Sequence, residues 1–156
     1  MKISYGITVY NEHRELDNLL YHLSKHIRKE DEVVVTRDIS KVGDKSIMQD
    51  EFYALEKVLE KYEYGTYFQP RQLKVTTFEF NKDFSKLKNY TKEQCSGDYI
   101  FHIDADEIPN EILLKQLPTQ RLTLLSFFLQ SQSYFRQQLK VLREGSYFLQ
   151  RCASES

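Results

Sequence analysis

The stretch Tyr99–Pro109 reads YIFHIDADEIP, a short strand-forming run that ends on three carboxylates within four positions, Asp104-Ala105-Asp106-Glu107. Like charges crowded into one site raise its energy unless a cation neutralises them. Hard oxygen ligands at a strand exit suit Mg²⁺ or Mn²⁺, which take one or two carboxylates together with substrate phosphates. A plainer reading stays open beside that one: an acidic turn capping a helix that starts near Pro109, where Asp or Glu stabilises by ~0.3–1 kcal/mol. An EF-hand loop is excluded, because its fifth and sixth positions would be Ile108 and Pro109. An Asp-x-Asp phosphotransferase would carry the pair on an early strand with further acidic residues downstream, whereas no Asp follows Asp106.

On both sides of this run the chain alternates between the two hydrophobic periods. Lys2–Val9 is a β-branched strand closing on Tyr10-Asn11-Glu12. Leu16, Leu19, Leu20, Leu23 and Ile27 then mark one helical face. Glu32–Thr36 (EVVVT) has the continuous apolarity of a strand covered on both sides. A polar loop, Arg37–Asp44, precedes a helix built on Phe52, Leu55, Val58, Leu59 and Tyr62. Leu73–Phe80 is the third strand. Phe84–Cys95 is the third helix, with Phe84, Leu87, Tyr90 or Thr91, and Cys95 inward. Tyr99–Ile103 is the fourth strand, and Pro109-Asn110 opens a short helix ending near Leu117-Pro118. The order β-α-β-α-β-α-β-α predicts an α/β fold, a mostly parallel sheet with helices on both faces. In such sheets ligands bind at the carboxyl ends, where the first and fourth strands meet. That rule selects Thr8–Glu12 and Asp104–Glu107.

Composition narrows the function classes. With 40% hydrophobic residues, five Gly and three Pro in 156 residues, the chain holds one core and is not a linker-rich or collagen-like sequence. The net charge of −1 offers no field for nucleic acid. The longest apolar run, Leu122–Leu129, falls far short of the ~20 residues of a membrane span. Cys95 and Cys152 match no zinc or redox spacing and read as ordinary thiols of a cytoplasmic protein. Charge divides the chain: residues 1–118 hold 17 basic and 21 acidic side chains, residues 119–156 hold 5 and 2. The tail 119–156 is therefore expected to be atypical. It supplies either an added strand (Leu122–Leu129) and helix (Phe135, Leu139, Leu142) or an ending foreign to the fold.

Three segments together, TVYNE at 8–12, a strand ending at Asp38, and FSKLKNYTKEQCSGDYIFHIDADE at 84–107, resemble the family 2 glycosyltransferases of the GT-A fold. The resemblance covers residues 1–118 and implies a Rossmann-like nucleotide-sugar-binding domain lacking the C-terminal acceptor half. It implies that Thr8 and Tyr10 contact the base and ribose, that Asn11 and Glu12 fix the loop, and that Asp38 bonds the base edge. Lys88 is implied to lie toward the diphosphate, Asp104 to reach the ribose or a metal-bound water, and Asp106 to ligate Mn²⁺ or Mg²⁺. The implied activity is metal-dependent, inverting transfer of a sugar from a nucleotide-diphosphate sugar to an acceptor hydroxyl. The departures are local. The second strand ends in Thr36-Arg37-Asp38-Ile39-Ser40 rather than the family's Asp-Asp-Gly-Ser turn, and after Pro118 the carboxylate side chains are Glu144 and Glu155 alone, so no general base is assigned. A binding remnant without turnover is the rival reading.

Other suggestive residues have plainer explanations. His22 and His26, four apart, lie off the apolar stripe and read as an exposed face. His102, inside a strand, reads as a buried ring, and the aromatic residues at 62–68 as loop packing.

Overall fold

In a computed structural model of the 156-residue chain, residues 1–40, 48–119 and 148–151 are described. Four parallel strands, β1 (Ile3–Val9), β2 (Glu32–Asp38), β3 (Leu73–Phe78) and β4 (Tyr99–Asp104), alternate with helices α1 (His13–His26), α2 (Met48–Glu63), α3 (Phe84–Glu93) and α4 (Glu111–Gln116). A 3₁₀ turn, Leu117–Thr119, follows α4, and β5 (Phe148–Arg151) pairs antiparallel with β4. The sheet order is β3-β2-β1-β4-β5. The doubly wound α/β architecture expected from the alternation is therefore present, with β1 and β4 adjacent at its centre. The strand drawn from the tail is 148–151. The strand and helix expected within 122–142 lie outside the described residues.

The pleat sorts the sheet into two unlike faces. Ile3, Tyr5, Ile7, Val9, Val33, Val35, Phe101 and Ile103 form one buried cluster with Leu16, Leu19, Leu20 and Leu23 of α1, Leu55 and Leu59 of α2, and Leu114 of α4. The other face presents Ser4, Gly6 and Thr8 of β1 between Val34 and Thr36 of β2 and Ile100 and His102 of β4, and α3 lies on it. Thr91 of α3 donates its hydroxyl to Thr36 Oγ1 at 2.8 Å. A Cβ on Gly6 would meet Ile100 Cδ1 at 2.7 Å and Thr91 Cγ2 at 3.1 Å, so glycine there lets Ile100 and α3 sit close without either side chain giving way.

Three expectations are corrected by tertiary context. β3 pairs only as far as Phe78, because the Phe80 N–H turns away from the ladder to the Asp38 carboxylate at 3.3 Å. Leu87 and Thr91 of α3 are buried as expected, but Phe84 is 68% exposed: at the first helical turn a cleft, not the sheet, lies beneath the ring. His22 and His26 are half-buried against α4, His22 Nε2 bonding the Pro109 carbonyl at 2.8 Å and His26 Nδ1 lying 3.5 Å from Glu111. Tyr62 and Phe68 are buried in the core cluster, and His102 is buried within β4. Among the described residues no helix is long and apolar enough to cross a membrane.

Candidate functional site

The face carrying α3 also carries the site. Register sets Thr8 opposite Asp104 across the β1–β4 pair and opposite Thr36 across β1–β2. Thr8, Tyr10, Asp38 and Asp104 have even numbers and so share the parity of Gly6 and Thr36. They end on the α3 side of the sheet at its carboxyl edge. A cleft of about 660 Å³ opens there. Its strand side is Thr8, Val9, Tyr10 and Glu12 after β1, Asp38 and Ser40 after β2, and Asp104, Ala105 and Asp106 after β4; its helix side is Phe80, Lys82, Phe84, Leu87 and Lys88. Seven of the eight residues singled out by sequence thus border one cavity. Asn11 is the exception, since its Nδ2 donates to Glu51 Oε2 on α2 at 3.1 Å.

Each polar group is held by local geometry. Glu12 Oε2 accepts the N–H groups of Tyr10 (2.9 Å) and Asn11 (3.1 Å), closing the loop after β1 on itself. Asp38 Oδ1 accepts from Ser40 N (2.8 Å) and Phe80 N (3.3 Å), which binds the β2 exit to the chain leaving β3. Thr8 donates its hydroxyl to Asp104 Oδ1 at 3.3 Å, and Lys88 Nζ lies 4.0 Å from the same oxygen. The turn after β4 is closed by Glu107, whose N–H donates to the Asp104 carbonyl at 2.9 Å and whose carboxylate accepts Asp104 N at 3.3 Å. Burial, then the negative charges of Asp38, Glu51 and Glu12, pushes the Tyr10 hydroxyl above its usual range.

Asp106 is exposed and has no hydrogen-bond or ion-pair partner among the described residues. Nor do three metal-ligating side chains gather anywhere among them. An exposed carboxylate such as Asp106 is the kind of hard oxygen ligand that a Mg²⁺ or Mn²⁺ ion takes singly or in pairs, with substrate phosphates and water completing its shell. Asp106, with Asp104 two residues before it, would hold such an ion at the cleft mouth. Phe80, Phe84 and Lys82 escaped the sequence reading as site residues. Periodicity assigns aromatic residues to the core and gives no weight to a lysine in a turn.

Comparison with known proteins locates this arrangement. The family model for glycosyl transferase family 2 matches residues 4–119. No curated protein matches the chain significantly in sequence. Among solved structures, S. aureus TarS is 28% identical, with a TM-score of 0.58 over 76% of this chain and 19% of that one. TarS 1-349 in complex with UDP is likewise 28% identical, with a TM-score of 0.58 over 76% and 31% of the two chains. A mannosyltransferase from Pyrobaculum calidifontis, PcManGT, in complex with GDP-Man and Mn²⁺, shares the fold at 19% identity and a TM-score of 0.50, over 73% of this chain and 30% of that one. The chain thus spans under a third of the length of each of these neighbours. With a model match from the first strand to the turn after α4, laid over a GT-A-like α/β sheet whose carboxyl edge carries the cleft, the chain belongs to glycosyl transferase family 2.

Proposed function

We propose that the cleft binds a nucleotide-diphosphate sugar and that the chain supports metal-dependent, inverting transfer of the sugar to an acceptor hydroxyl. The observation that carries this reading is the meeting of Tyr10, Asp38, Lys88, Asp104 and Asp106, drawn from three strand exits and one helix, on a single cavity. In it, residues 1–118 are the donor-binding domain. Tyr10 and Asp38 lie where a base and ribose would be held, and Thr8 fixes the rotamer of Asp104 through its hydroxyl. Lys88 brings a positive charge to within reach of phosphate oxygens, and its partial exposure leaves it free to exchange Asp104 for a more highly charged anion. A divalent ion, when bound, neutralises the charge that develops on the departing nucleoside diphosphate. The neighbours in complex with UDP and with GDP-Man and Mn²⁺ support a ligand of this class.

Binding without transfer is the second reading, favoured by one observation. Inversion needs a carboxylate base for the acceptor hydroxyl, and in this reading the carboxylates lining the described cleft, Glu12, Asp38, Asp104 and Asp106, already serve the loop, the donor or the metal. Titration of UDP, GDP and ADP with and without Mn²⁺, followed by thermal shift, tests the common core of both readings. Mn²⁺-dependent stabilisation that Asp106→Ala abolishes is the expected result, and its absence for every nucleotide overturns both. Hydrolysis or transfer of the sugar by the wild-type chain, lost in Asp106→Ala, then selects the enzyme; binding with no turnover selects the binding module.

A further inference from the structure

Phe84 sits in the first turn of α3 with 68% of its surface exposed, while Leu87 and Thr91 on the same helix are buried. Its ring faces that of Phe80, with centroids 4.7 Å apart and planes inclined at 52°, and both rings wall the cleft. Between them Lys82 adopts a φ of 60°, a left-handed conformation uncommon for a side-chain-bearing residue, within the tight turn that joins the two ring positions. The pair is also tied to a polar neighbour. The Phe80 N–H donates to Asp38 Oδ1, which already accepts Ser40 N–H, and Asp38 Oδ2 keeps no hydrogen-bond partner among the described residues. One helical turn beyond Phe84 stands Lys88. Four residues of α-helix rise about 6 Å, of the order by which a ribose separates a base from its diphosphate.

We propose that Phe80 and Phe84 form the stacking wall for the base of a nucleoside diphosphate, beside the Asp38 carboxylate and one turn before the diphosphate-facing Lys88. The assignment rests on the donor-site reading of the cleft and adds to it the source of base affinity. The two rings are inclined to each other, and each offers its own flat apolar face, on which any nucleobase stacks at little cost in specificity. Helix α3 therefore meets the nucleotide along its length, aromatic at its first turn and cationic at its second.

Calorimetric titration of UDP, GDP and ADP with Mn²⁺, and of inorganic pyrophosphate with Mn²⁺, tests the proposal in wild type, Phe84→Ala and Phe84→Trp. Phe84→Ala is expected to weaken each nucleotide that binds by about tenfold, with pyrophosphate affinity unchanged and with Phe84→Trp restoring nucleotide affinity. Phe84 is exposed, so its truncation leaves the core packing in place, and the melting temperature of each variant checks this directly. Nucleotide affinity untouched in Phe84→Ala overturns the stacking wall alone. An equal loss for pyrophosphate overturns it too, since the ring would then act through the phosphate subsite. A wild-type chain that binds neither nucleotides nor pyrophosphate overturns this assignment and the donor-site reading together.

Discussion

Replacing Glu32 by Gln gives a stability change whose size follows from the structure. Glu32 opens β2 at the amino edge of the sheet, far along the strand from the cleft, and its side chain is only 13% exposed. Oε1 accepts from Ser4 Oγ (2.5 Å), Ser96 N (2.5 Å) and Gly97 N (3.1 Å); Oε2 accepts from Ser96 Oγ (2.7 Å) and Lys2 Nζ (3.0 Å). Burial alone raises the carboxyl's pKa, but the hydrogen bonds from Ser4, Ser96 and Lys2 outweigh it and hold the group at about 2. Relative to an ordinary 4.5, that depression corresponds to about 3 kcal/mol favouring the folded, ionised state. The sign is that of a lowered carboxylate. The stabilisation is complete above pH 4.5 and is lost as pH falls toward 2. Glu32→Gln keeps one acceptor oxygen but turns an NH₂ toward the Lys2 ammonium, so most of the 3 kcal/mol disappears at neutral pH. For a chain of this size that lowers the melting temperature by about 6–12 °C. Thermal unfolding followed by circular dichroism from pH 7 to pH 2 measures both curves, which should converge at the acid end. A variant melting within about 2 °C of wild type at pH 7, or a constant gap between the curves at all pH values, refutes the reasoning.

Two further substitutions separate structure from function. Lys88→Gln should leave stability within about 0.5 kcal/mol, because a half-exposed pair at 4.0 Å contributes little, yet weaken nucleoside diphosphates about tenfold without affecting the bare nucleosides; calorimetry on both ligand types checks it. Gly6→Ala should cost about 1–3 kcal/mol, since the new methyl would press on Ile100 and Thr91 between β1, β4 and α3; denaturant unfolding measures it.

The alternation of strand and helix was legible because each element carries its own period. Leu16, Leu19, Leu20 and Leu23 announce α1, and EVVVT announces a strand covered on both faces. The meeting of the β1 and β4 exits was legible too, because right-handed crossovers leave few windings for such a chain. What stayed hidden depends on partners distant in sequence. Phe84 has the spacing of a core residue, and only the position of α3 over the cleft exposes it. His22 looked solvated on its own helix and is held by Pro109, 87 residues away. Asn11, inside the motif TVYNE, turns to Glu51 of α2 rather than into the cleft. A helical wheel cannot register a contact that the wheel does not contain.

The two faces of the sheet explain why the cleft forms where it does. The odd-numbered positions of β1 and β4 are bulky, Ile3, Tyr5, Ile7, Phe101 and Ile103, and they bury the leucines of α1. The even-numbered positions of β1 are Ser4, Gly6 and Thr8, too small to keep a helix at a distance, so α3 settles close enough for Thr91 to bond Thr36. A helix so close to the sheet, and running past its carboxyl edge, leaves a narrow gap between its first two turns and the strand exits. The residues that continue the even face past that edge, Thr8, Tyr10, Asp38 and Asp104, become one wall of the gap, and Phe84 and Lys88 become the other. The small side chains of β1 therefore let α3 lie close to the sheet beside the cleft. Enlarging Gly6 acts on the site through the distance between α3 and the sheet, because the added methyl meets Ile100 and Thr91 rather than the cleft.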